Sequence, residues 1–132
     1  MGSTLGFWLS FAATLLLLVV ALVSGRRGRR RLHLVAGPLA LVLLAIAIVC
    51  TEQLMRTYRF PEAALRFHLV FAKTGGLLAL PVVVTGVWLW RRPAARPWHR
   101  RAVWLFLAGA VAATSTGIWL FTQGTPIADG PK

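Results

Sequence analysis

Four long apolar stretches take up most of this chain, and no other feature limits its folding as strongly. The first, Leu5 to Val23, carries no charged residue. At about twenty residues it is long enough to cross a bilayer as a helix. The second, Leu32 to Val49, has His33 as its single ionisable side chain apart from the weakly acidic Cys50 that follows. The third starts after Pro61, a residue suited to the first position of a helix, and continues to Trp90. The fourth starts near Pro97 and ends near Phe121. Of the 132 residues, 58% are apolar and 14% are charged, and a soluble domain of this size has too little interior to hide so much apolar surface. The expected fold is therefore all-α: one integral membrane four-helix bundle over residues 1–132, with spans at about 5–24, 32–52, 62–90 and 98–121. The first stretch is read as a helix and not as a cleaved leader. Met1 to Thr4 holds no basic residue while Arg26 to Arg31 follows, the reverse of a leader's charge order.

A net charge of +12 raises the question of nucleic acid, and its distribution answers it. Ten of the fifteen basic residues fall in two short stretches, Arg26 to Arg31 and Arg91 to Arg101, each lying between apolar runs. A nucleic-acid face needs its charges spread over one polar folded surface. Short basic loops between spans instead orient a membrane protein with those loops inward, and they meet anionic lipid headgroups without specificity. Both arginine loops are expected on the cytoplasmic side, with both termini and the loop from Thr51 to Arg66 outside. Trp88, Trp90, Trp98 and Trp104 then gather at the inner interface, and Trp8, Tyr58 and Trp119 at the outer one. This is the pattern of a multi-pass protein of, most naturally, a bacterial inner membrane. Small residues from Ala108 to Gly117, with Gly75 and Gly76, provide faces where helices can approach closely. Pro81 is expected to kink the third helix, and Gly37-Pro38 to do so near the start of the second. Cys50, the only cysteine, excludes an intrachain disulfide and reads as small apolar filler.

The most informative pattern is an internal repeat. His68 is followed by Thr85-Gly86-Val87-Trp88-Leu89-Trp90, and His99 by Thr116-Gly117-Ile118-Trp119-Leu120-Phe121; in both, the threonine comes seventeen residues after the histidine. Seventeen residues of helix span ~26 Å, so each histidine and its Thr-Gly stand near opposite interfaces. His33-Leu34-Val35 opens the second helix as His68-Leu69-Val70 stands in the third. Alternating helix directions put His33 and His99 in the cytoplasmic leaflet and His68 in the outer one. Two neutral imidazoles at one depth are what the two axial positions of a six-coordinate b-type haem require.

From about Arg31 to Phe121, helices that begin with histidine and end in Thr-Gly-aromatic resemble the cytochrome b561 superfamily and related small four-helix membrane families of unknown function. The resemblance implies a bundle that binds haem b and passes electrons across the membrane, with His33 and His99 as axial ligands to the iron. The chain departs from that family in having three histidines instead of four. His68 then lacks a same-side partner, unless Met55 or a second copy in a homodimer supplies one. Lys73, five residues past His68, is read either as a cation for a haem propionate or anionic substrate, or as a lysine that reaches outward and pairs with Glu52. The histidines have a plainer reading too, as interfacial groups bonded to backbone, lipid or water.

Three function classes follow. The first is a b-type haem protein carrying electrons within or across the membrane, its partner a quinol, a small reductant or another membrane subunit. The second is a cofactor-free accessory or assembly subunit of a larger complex, and the third a small oligomeric transporter. Phosphate loops, Cys-x-x-Cys pairs, His-Glu-x-x-His and nucleophile elbows are all missing. With three acidic residues in all, paired-carboxylate catalysis has no material to work with.

Overall fold

Helices account for 88% of the computed structural model, which describes residues 2–127. In chain order they are α1 (Gly2–Arg26), α2 (Arg30–Met55), α3 (Glu62–Leu77), α4 (Ala79–Arg91) and α5 (Arg96–Gln123), with a short 3-10 turn at Pro93–Ala95 before α5. Four segments are long and apolar enough to cross a membrane: Leu5–Arg26, Arg30–Met55, Glu62–Arg91 and Pro93–Gln123. Their outward faces carry large apolar side chains, among them Leu9, Leu16, Val42, Ile48, Val84 and Ile118. Such faces suit lipid and not water.

The chain divides into two compact units, one reaching Tyr58 and the other running from Arg59 to Pro126. In the first, α1 and α2 pack along each other. Its buried seam is made of small residues at alternating three- and four-residue steps or their sums: Ser10, Thr14, Ala21 and Ser24 from α1, and Ala36, Ala40 and Ala47 from α2. Apolar burial against lipid offers no driving force for pairing, so backbone proximity has to supply the contact, and small side chains permit it. The buried hydroxyls bond within their own helix, Ser10 to the Phe7 carbonyl, Thr14 to Ser10 and Ser24 to Ala21. No polar atom is therefore stranded in the seam.

A tight turn reverses the chain between α1 and α2. The Arg29 N–H donates to the Ser24 carbonyl at 2.9 Å and the Gly28 N–H to Gly25 at 3.4 Å, which together close a Schellman motif. Gly28 has φ +68°, a conformation that strains any residue with a Cβ. The Gly28→Ala variant is expected to lose about 1 kcal/mol of stability, read as a lower thermal midpoint of the detergent-purified chain.

In the second unit α5 packs against both α3 and α4. The third span is not one helix but two. α3 stops at Leu77 and α4 resumes at Ala79, four and two residues before Pro81. Proline has no N–H for the Leu77 carbonyl and its ring crowds that oxygen, so the break falls one turn upstream of the proline. Pro38, by contrast, leaves α2 continuous from Arg30 to Met55. It is exposed, and losing one ladder bond there does not end the helix. Gly75 and Gly109 mark the closest approach of α3 and α5: a Cβ on Gly75 would lie 3.1 Å from the Gly109 carbonyl oxygen. Gly76 has nothing within 4 Å of such a Cβ, so of the two adjacent glycines only Gly75 serves the packing. At the end of the unit where α3 begins and α5 ends, Phe60 meets Phe121 edge-on at 5.5 Å and Phe67 meets Trp119 at 5.9 Å.

Candidate functional site

Each of the three histidines sits in a seat formed by the neighbouring helix of its own unit. His68, in the second turn of α3, is buried and places Nδ1 3.0 Å from Thr116 Oγ1 on α5. His99, in the first turn of α5, places Nδ1 3.1 Å from Thr85 Oγ1 on α4. His33, in the first turn of α2, places Nδ1 2.8 Å from the Ala21 carbonyl oxygen on α1. Antiparallel packing produces this exchange. The start of one helix lies beside the end of the next, so the histidine near one helix's start meets the Thr-Gly near the other's end.

The glycine after each hydroxyl residue makes room for the ring. A Cβ on Gly117 would stand 3.2 Å from His68 Cε1, and one on Gly86 would stand 3.4 Å from His99 Cε1. On α1 the same role falls to Gly25, whose Cβ would be 3.0 Å from His33 Nδ1. Ser24-Gly25 is thus a third copy of the hydroxyl-glycine pair. It went unrecognised in the sequence because serine stands for threonine and no histidine precedes it by seventeen residues. Phe7 occupies that place. Seventeen residues past His33 stand Cys50 and Thr51 instead of Thr-Gly, and a Cβ on Gly6 would lie 3.9 Å from Cys50 Sγ. Three histidine seats are thus present among the described residues, two in the second unit and one in the first.

Both threonine hydroxyls also bond within their own helix. Thr116 Oγ1 donates its single proton to the Ala112 carbonyl at 2.8 Å, and Thr85 Oγ1 donates to the Pro81 carbonyl at 2.6 Å. With its proton given to that carbonyl, each hydroxyl oxygen can accept an Nδ1–H from the imidazole. The carbonyl of Ala21 is an acceptor by nature, so His33 also donates through Nδ1. In a neutral imidazole bonded this way the lone pair resides on Nε2.

Among the described residues the arginines, the two glutamates and Lys73 are exposed, while Cys50 and Tyr58 are half-buried. Glu52 is held by Arg56 at 3.5 Å along its own helix, and Glu62 by Arg66 in the same way. Lys73 is exposed on α3, on a different face from the buried Ala64, His68 and Gly75. Arg101 lies over the Trp98 ring at 5.2 Å from its centroid. Among the described residues no group of three or more His, Cys, Asp or Glu side chains converges to hold a metal ion. No family model, no curated protein and no solved structure matches the chain.

Proposed function

We propose that this chain is a membrane b-type haem protein that carries electrons within or across the bilayer, with His33 and His99 as axial ligands. The observation that carries this reading is the bonding of the imidazoles. Each places Nδ1 within hydrogen-bond distance of an oxygen on a neighbouring helix, and where Nδ1 carries the proton Nε2 is the basic nitrogen. A histidine that serves iron commonly has its other nitrogen engaged in this way. The donor set suits haem, which brings four nitrogens of its own and asks the protein for one or two imidazoles. Haem b, when bound, supplies a one-electron couple; the helices supply orientation, a dry surrounding and ligand basicity. The resemblance to the cytochrome b561 superfamily points the same way.

His68 and Lys73 belong, in this reading, to an outer-leaflet site, Lys73 offering a cation to a propionate or an anionic reductant. Both arginine loops face the cytoplasm and both termini face outward. That orientation rests on the ten clustered arginines, all of them exposed.

A dithionite-reduced minus oxidised visible spectrum of detergent-purified protein, made with ample haem, tests the assignment. The expected result is a sharp b-type alpha band that disappears in His33→Ala and in His99→Ala. A flat spectrum from folded protein would reject it. The chain would then be read as an accessory subunit, which its broad exposed apolar faces also suit, and co-purification of other membrane chains would be sought.

A further inference from the structure

Beyond the ligands themselves, two hydroxyl groups stand out. Thr116 and Thr85 sit on different helices, in different sequence surroundings, and make the same set of contacts. Each hydroxyl donates to the carbonyl four residues back and lies near a second one, three residues back, at 3.1 Å for Thr116 and 3.3 Å for Thr85. Each lies within hydrogen-bond distance of an imidazole Nδ1 of the facing helix. Each is followed by a glycine over which that imidazole ring lies. A threonine that merely satisfied itself inside a helix would need neither the histidine nor the glycine.

We propose that Thr116 and Thr85 are positioning residues that lock His68 and His99 in the Nδ1–H tautomer, so that the lone pair of each ring resides on Nε2. In water, neutral histidine favours the opposite tautomer, with the proton on Nε2. A fixed acceptor at Nδ1 reverses that preference, and it acts most strongly at His68, which is buried in its helix seam. The glycine completes the device by letting the ring approach within bonding distance of the hydroxyl. Hydroxyl and glycine therefore work as one unit, the first setting the proton and the second setting the ring. His33 achieves the same state by donating to a backbone carbonyl. Only the naming of iron as what Nε2 meets rests on the proposed function. The tautomer lock stands apart from it.

The test uses the full chain purified in detergent without added haem and labelled with 15N-histidine. Nitrogen chemical shifts distinguish a protonated from an unprotonated ring nitrogen, and a His68→Gln variant assigns the His68 signals. The expected wild-type result is a protonated Nδ1 and an unprotonated Nε2 at His68. In Thr116→Val, which keeps the shape and removes the acceptor, the Nε2–H form should become the dominant one at His68 while His99 is unchanged. Thr116→Ser should retain the wild-type pattern, and Thr85→Val should alter His99 alone. An Nε2–H form at His68 in the wild type overturns the proposal, as does a Thr116→Val spectrum identical to wild type. Should Thr116→Val fail to fold, the wild-type shifts and Thr85→Val decide the matter alone. A flat haem spectrum beside a locked Nδ1–H tautomer would remove the iron and leave the positioning role in place.

Discussion

Leucine at Gly109 is expected to cost the second unit about 3 kcal/mol, the upper part of the usual range for overpacking. A Cβ there would stand 2.9 Å from Leu78 Cδ1 and 3.1 Å from the Gly75 Cα. The leucine tip can turn aside, but the Gly75 backbone cannot, so α3 and α5 must move apart. The cost does not stop at the crossing. On the same pair of helices, His68 reaches Thr116 at 3.0 Å, and a shift of half an ångström takes that bond past useful length. Thermal unfolding in detergent should show a lower midpoint for Gly109→Leu. The 15N signals of His68 should move with it. Gly76→Leu is the control, because nothing lies within 4 Å of a Cβ at that position. Equal losses in the two variants would mean that the crossing point has been misidentified.

How much of this was legible in the sequence depends on which interaction is considered. The spans follow from uninterrupted apolar runs, because a chain in lipid must form helices to satisfy its own backbone. Pro81 announced an interruption, though its site, at Leu77 and Leu78, depends on which carbonyl loses its donor. The small-residue seam of the first unit was harder to see. Serine, threonine and alanine at three- and four-residue steps are common in any membrane helix, and only the facing helix shows which of them are buried. The candidate seats were half visible. Histidine and Thr-Gly both stand out in the sequence, where their seventeen-residue spacing describes the two ends of one helix. Sequence spacing measures distance along a helix, whereas the contact runs between antiparallel neighbours. A single observation would have joined the halves: the hydroxyl-glycine pair of one helix lies at the end beside the next helix's histidine. Ser24-Gly25 ahead of His33 repeats that order across the short turn from α1 to α2.

Orientation gives the second large effect. Each arginine held at the centre of the hydrocarbon core costs about 3 kcal/mol on the insertion scale, and each basic loop carries five. Arg26, Arg27, Arg29, Arg30 and Arg31 flank the first turn, and Arg91, Arg92, Arg96, Arg100 and Arg101 flank the second. Carrying either set outward is far less favourable than leaving it where it is made. Alkaline phosphatase, active only after export, should therefore be active when placed after Lys132 and inactive when inserted at Gly28. Neutralising the first loop alone should leave this pattern standing, since the second set still points the same way. Replacing all ten arginines with glutamine should yield activity at both positions, the mark of a mixed population. An inactive phosphatase after Lys132 in the unaltered chain would reverse the orientation. It would also move the His33 and His99 ends of their helices to the outer leaflet, and an electron donor for the proposed haem would then be sought on that side.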